Sequence, residues 1–147
     1  MKITTYTYQQ LSKEKLYQII RLRLEVFVLE QNCIYQDLDN KDQKAIHLVG
    51  EEDGKVIAYT RLFKKGDYFE NASIGRVIVK KESRKKDYGK KIMQKSIEEL
   101  KNEHNEENIE ISAQKYLIKF YDDLGFKKIG EEYLEDNIPH IKMVLKT

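Results

Sequence analysis

Proline occurs once in the 147 residues, cysteine once and tryptophan not at all. A single cysteine, Cys33, excludes an internal disulfide and a cysteine-built zinc site, and it points to a reducing, cytoplasmic setting. The longest apolar runs, at 26–29 and 56–59, are four residues, whereas a membrane span needs roughly 20. The opening MKITTYTYQQ lacks the apolar stretch of a secretory signal. No repeat, low-complexity tract or Pro/Gly/Ser-rich linker divides the chain, so one domain over 1–147 is expected. An excess of one charge is missing too: 27 basic and 25 acidic residues leave +2. What is abundant is charge of both signs, 35% of the chain, beside 40% hydrophobic residues and a mean hydropathy of −0.70. That balance belongs to a water-soluble domain with a core of its own.

The charges are segregated. Residues 80–95 carry eight cations against Glu82 and Asp87, and residues 25–53 carry eight anions against Lys41 and Lys44. One end suits an anionic ligand and the other a cationic one, unless both are solvated faces. A nucleic-acid-binding module would also use the basic stretch. Against it stand the near-neutral chain, the scarcity of interleaved aromatics and the lack of a helix-turn-helix or RNP-type motif. No nucleic-acid or membrane partner is expected.

Hydrophobic periodicity outlines the elements. Residues 2–8 are β-rich, and Ser12 can cap a helix whose apolar positions run from Leu16 to Val28. Residues 31–44 read as a loop. Strands follow at 45–51 and 55–64, joined by the Asp53-Gly54 turn, and at 73–79. After a basic loop come a helix over roughly 88–103, a strand at 109–113, and a short helix stopped by Gly125. Two closing strands run over 126–134 and 139–145. The first half reads as an antiparallel meander, and strand–helix–strand–helix in the second half implies parallel neighbours. The fold class is α/β, one mixed sheet with helices on its faces.

The most informative segment is Ile74-Gly-Arg-Val-Ile-Val79, then Arg84-Lys-Lys-Asp-Tyr-Gly89 opening a helix. A loop that ends at a helix N-terminus presents unpaired N–H groups to an anion, and phosphate is the common one. Neither GxxxxGK[ST] nor GxGxxG is present. The segment resembles the signature of the GNAT superfamily of acyl-CoA-dependent N-acyltransferases, [Q/R]-x-x-G-x-[G/A], with Arg84 and Gly89 at its outer positions and Asp87 where the first glycine stands. Phe120-Tyr-Asp-Asp-Leu-Gly-Phe126 is similar to the family's [F/L]-Y-x-x-x-G-F, and Gln114 stands where many members carry Asn. Val26–Cys33, Tyr35–Asp39, Ala113-Gln114 and Ile138–Ile141 look like the ElaA-like branch.

The resemblance implies a single GNAT domain with a mixed, mostly antiparallel sheet flanked by helices on both faces. It also implies an N-acetyltransferase that moves an acetyl group from acetyl-CoA directly to a primary amine of a small molecule or peptide, without a metal, as a monomer or homodimer. The coenzyme would meet Val77, Ile78, Val79, Arg84, Lys85, Lys86, Asp87, Tyr88, Gly89, Lys90, Gln114 and Phe120. Tyr121 would be the general acid. Many members place a Glu two residues before the acetyl-binding position, which is Gly75 here. The base is therefore open among His47, His140, Glu30, a water relay or an amine that arrives neutral. Glu30, Gln31, Tyr35, Asp37, Asp39 and Arg76 would wall the acceptor site. Arg61 and Arg76 fall in strands, where a buried guanidinium needs a partner. A catalytically silent coenzyme A-binding domain remains the alternative, supported by Gly75 and Asp87.

Overall fold

The computed structural model describes residues 1–147. Seven strands form one sheet in the order β1-β2-β3-β4-β5-β7-β6. In chain order they are β1 (Lys2–Thr7), β2 (Ile46–Glu52), β3 (Lys55–Phe63), β4 (Ala72–Val79), β5 (Asn108–Gln114), β6 (Lys127–Glu135) and β7 (Ile138–Lys146). Helix α1 (Lys13–Arg23) begins where the Ser12 hydroxyl accepts from the Lys15 amide at 3.0 Å, and it continues into a wide π-turn over Leu24–Glu30. Helix α2 (Tyr88–Glu98) is likewise extended by a π-turn over Glu99–Glu103, and α3 (Ile118–Asp123) is short. No helix is long and apolar enough to cross a membrane.

Strand alternation sorts the apolar residues between two faces. Leu48, Ala58, Leu62 and Ile74 pack on one face with Ile92 and Met93 of α2 and with Tyr121 and Phe126 around α3. Val49, Tyr59 and Ile78 pack on the other, against Ile19 and Leu22 of α1. Helices therefore cover both faces, as the resemblance implies. The expectation of parallel neighbours through the second half needs correction. Only β4 and β5 are parallel, because β7 inserts antiparallel between β5 and β6 and leaves β6 at the edge. Pro139 is tolerated in this inner strand because it lies near the strand's start. It pairs with Leu134 on one side and lies beyond the last β5 partner, Gln114, on the other.

Two local features open the sheet. The parallel pair holds for two residue pairs, Ala72–Ile109 and Ser73–Glu110, after which β4 and β5 part. On its other side β4 carries a bulge. The register with β3 passes from Gly75 to Ile78, skipping Arg76 and Val77, and Arg76 has a left-handed φ of +48°.

The loop between the π-turn and β2 lacks regular structure until a single 3-10 turn at Asp42–Lys44. Buried charge holds it. The Arg23 guanidinium, fully buried, donates to Asp37 at 2.8 Å and to Asp42 at 2.7 Å. Arg61 donates to both oxygens of Asp39 at 2.8 Å and to Asp42 at 3.0 Å. Arg76 Nε lies 2.8 Å from Asp37. Three arginines meet three aspartates, and each arginine comes from a regular element.

Removing one partner of such a cluster leaves a buried charge without its counterion. Arg23→Ala is expected to cost about 3–5 kcal/mol in urea unfolding. Burial opposes the ionisation of Asp39, but the Arg61 hydrogen bonds and the Arg61 and Arg76 charges outweigh it and hold its pKa at about 2. Its contribution is fully present above an unfolded value of about 3.9 and is lost as pH falls through about 2. Unfolding measured from pH 5 to pH 2 should show that limb in the wild type and a flatter one in Asp39→Asn.

Candidate active site

The parting of β4 and β5 creates a cavity of about 790 Å³ that runs through the sheet, within the size range of small-molecule sites. Ile74 to Val79 wall one side, and Ile111, Ser112 and Gln114 the other. Tyr121 reaches it from the α3 face. Glu30, Gln31, Cys33 and Tyr35 reach it from the π-turn and the loop behind, and Glu135, Ile138 and His140 from the β6–β7 hairpin.

The loop before α2 is shaped for an anion. Lys85 and Asp87 have left-handed φ values of +70° and +59°, and backbone turned this way gathers successive amides into a concave nest. The Arg84 amide bonds back to Lys81 and the Lys91 amide to Asp87, but the six amides from Lys85 to Lys90 meet no acceptor in the protein. The helix dipole adds to their positive field. Lys85 and Lys90 line the cavity beside them. Asp87 occupies the N-cap position without a side-chain cap bond. Its left-handed backbone is one that glycine adopts without cost, and aspartate tolerates it better than most residues. Gly89 packs close to Phe120, where an added Cβ would lie 3.6 Å from the ring.

Tyr121 is nearly buried, between Phe120 and Phe126, with ring centroids 5.1 and 6.1 Å away. Burial, with Tyr116 nearby, raises its pKa above the ordinary phenol value. The phenol therefore stays protonated at neutral pH and keeps a proton to give.

Several residues named from the sequence lie elsewhere or are engaged. His47 does not line the cavity and is fully buried. Its Nε2 lies 2.9 Å from the Asp42 carbonyl, which only accepts, so Nε2 donates and Nδ1 accepts from the Tyr59 hydroxyl at 2.6 Å. Burial holds its pKa down. His47 thus has no free nitrogen for substrate, and the expectation of a base there is corrected. Asp37 is buried off the cavity, tied to Arg23, Arg76 and the Tyr35 hydroxyl at 2.9 Å. It secures that wall of the cavity from behind. Lys86 points away from the cavity, 3.7 Å from Glu52.

Arg76 lines the cavity, but its guanidinium is directed to Asp37 and its carbonyl. Glu30 is held bidentately by Arg84 at 2.6 and 3.0 Å, and Arg84 Nε also donates to the Val79 carbonyl at 3.0 Å. Two thin contacts bridge the cavity. Cys33 Sγ lies 3.7 Å from the Asp136 carbonyl, and Gln114 Nε2 lies 3.5 Å from Gln31. No group of three or more His, Cys, Asp or Glu is placed to hold a metal ion.

Ser112, Tyr133 and Glu135 join His140 on the hairpin side, and sequence reasoning passed over all three. The Tyr133 and Ser112 hydroxyls are hydrogen-bonded, and the Ser112 hydroxyl donates to Glu135 at 3.3 Å. The available signal was strand alternation, which places Ser112 with Gln114, and Tyr133 with Glu135, on one face.

Known proteins share this architecture. The sequence profile of the acetyltransferase (GNAT) domain matches residues 2–147. The chain is 38% identical over 138 residues to protein ElaA of Escherichia coli K12, covering 92% of this chain and 90% of that protein. It superposes on the crystal structure of Escherichia coli ElaA with a TM-score of 0.93 at 35% identity, covering 99% of this chain and 100% of that one. The crystal structure of an acyl-CoA N-acyltransferase from Pseudomonas aeruginosa gives 0.93 at 33% identity, with 99% of each chain covered.

Asp87 sets a carboxylate beside amides that have no partner in the protein. Asp87→Gly should leave stability within about 1 kcal/mol, since relief of the left-handed backbone offsets glycine's entropy cost. It should also tighten the binding of a diphosphate-bearing ligand several-fold, as calorimetry with coenzyme A would show.

Proposed function

The chain belongs to the GNAT acetyltransferase family, in its ElaA-like branch, and on that premise we propose that it is an N-acetyltransferase moving an acetyl group from acetyl-CoA to a primary amine by direct attack. One observation carries the reading: the 85–90 loop, with its six unpartnered amides, and Tyr121 border the same cavity, Lys86 alone of those residues standing off it.

The coenzyme's diphosphate would take the amides of the 85–90 loop. Arg84 already holds Glu30, so the side-chain charge there comes from Lys85 and Lys90. The exposed rim of β4 beyond Ser73 has no β5 partner. Val79 can therefore pair with the pantetheine amide as a strand would, and the bulge at Arg76 and Val77 turns the Val77 amide toward the acetyl carbonyl. A donor aimed where charge develops lowers the barrier to attack. The amine attacks in its neutral form and the nitrogen's surplus proton passes to water. As the C–S bond breaks, Tyr121 gives its proton to the departing sulfur, and burial keeps that proton in place until the sulfur needs it. Gln31, Tyr35 and Gln114 wall the chamber into which the amine comes, and Asp37 with Arg76 fixes that wall rather than touching the amine.

The alternative of a silent coenzyme A-binding domain draws on Gly75, whose position holds no carboxylate and opens on free space. The two readings part on one measurement. Under the transferase reading, Tyr121→Phe lowers turnover in a thiol-release assay by about 10²–10⁴-fold and changes acetyl-CoA affinity less than twofold. Acetyl-CoA bound with no thiol released across a broad amine panel favours the silent domain, and an empty cleft at saturating acetyl-CoA removes both.

A further inference from the structure

The β4 wall is bare at Gly75, where an added Cβ would meet no atom within 4 Å, and the opposite wall is not. Asp136 and Asn137 both take left-handed φ, making a tight two-residue turn between β6 and β7. The turn pairs Glu135 with Ile138 and Tyr133 with His140, so all four side chains share a face with Ser112 and Gln114 of β5. His140 Nδ1 lies 2.6 Å from the Ile138 carbonyl, so it donates there, and Nε2 lies 3.3 Å from one oxygen of Glu135. The Ser112 hydroxyl reaches the other oxygen at 3.3 Å. With Nδ1 donating to that carbonyl, the Nε2 of the neutral ring can only accept, so Nε2 and the Glu135 oxygen are two acceptors facing one another with no donor between them. Ser112 orients the carboxylate, and the side chain stays half exposed at the cavity wall.

Of the other carboxylates that line the cavity, Asp136 lies at the hairpin tip and Asp87 in the anion loop, and the remaining two are taken. Glu30 is held by Arg84 and Asp39 by Arg61. No lysine or arginine pairs with Glu135.

We propose that Glu135, oriented by Ser112, and His140 Nε2 together form the subsite that receives the acceptor as a primary ammonium ion. This rests on the transferase reading and adds the residue that recognises the acceptor's charge. A carboxylate at a cavity wall with no cation of its own attracts an organic cation more strongly than one in open solvent, because the protein excludes part of the screening water. A hairpin between two hydrogen-bonded strands sets its position more firmly than a free loop would. The acceptor enters between Cys33 and Asp136, where the contact across the cavity is a single 3.7 Å approach.

The test uses the full chain and propylammonium chloride as probe. Imidazole ¹H–¹⁵N spectra follow His47, His104 and His140, with His140→Gln assigning the signal. Propylammonium is expected to move the His140 signals saturably, beyond the change given by sodium chloride at equal ionic strength, while His47 and His104 report an intact fold. Glu135→Gln should weaken that response at least tenfold, and Glu135→Asp less. A wild-type response no larger than that to sodium chloride, or an unchanged response in Glu135→Gln, overturns the proposal. Calorimetry with acetyl-CoA on the same samples separates the two readings. A chain that binds propylammonium at Glu135 but no acetyl-CoA retains this subsite and loses the transferase assignment. One that binds acetyl-CoA without the ammonium response does the reverse.

Discussion

Two buried arginines and a partly buried third, set against three aspartates, hold the working half of this protein in place. Arg23 ends α1, Arg61 lies within β3 and Arg76 sits at the β4 bulge. Their partners Asp37, Asp39 and Asp42 all come from a segment with almost no regular structure. A loop of that length costs conformational entropy to order, and hydrophobic contacts do little here. Ile34 is 98% exposed and Leu38 43% exposed. The loop is therefore fastened by charge, with geometry that satisfies several donors at once. Buried ion pairs give little net stability over an apolar replacement, but they specify one arrangement sharply once formed. A wall of a binding chamber needs that kind of definition.

The same network explains the odd backbone beside it. Arg76 takes a left-handed φ inside a strand, which costs energy unless the surroundings compensate. Its guanidinium reaches Asp37 and lies over the Tyr35 ring at 5.9 Å. The bulge lets the side chain turn toward the loop, and it takes Arg76 and Val77 out of register with β3. Loop anchoring and the exposure of β4 to a ligand are two consequences of one distortion.

The cavity follows from topology. A parallel pair that ends after two residues leaves two strand rims facing each other. The α2 and α3 side carries the unpartnered amides and Tyr121. The opposite side is closed by the anchored loop and by the β6–β7 hairpin. The cavity joins the two sides, so it is lined from both faces of one sheet.

Most of the elements were readable along the chain, because they depend on neighbours a few residues apart. Ser12 capping α1, the Asp53-Gly54 turn and the apolar spacing of α2 are local signals. So is the run from Arg84 to Gly89, whose position between a strand and a helix already implied free amides. The family was readable from motifs that lie in order, and so was Tyr121, which belongs to one of them. His47 shows where this stops. Alternation placed it in a strand, but its burial depends on Asp42 and Tyr59, which only the folded loop and the neighbouring strand bring to it. Asp37 and Arg76 looked like pocket residues from their charge, and long-range pairing turned them into anchors. Ser112 and Glu135, 23 residues apart, meet because β7 enters between β5 and β6, and no local pattern records that insertion. The chain's own order thus determined which elements form and which ligand chemistry its basic loop invites. The tertiary structure decided which charges neutralise one another and which stay unpaired at the cavity, because ion pairing depends on distances that strand order alone creates.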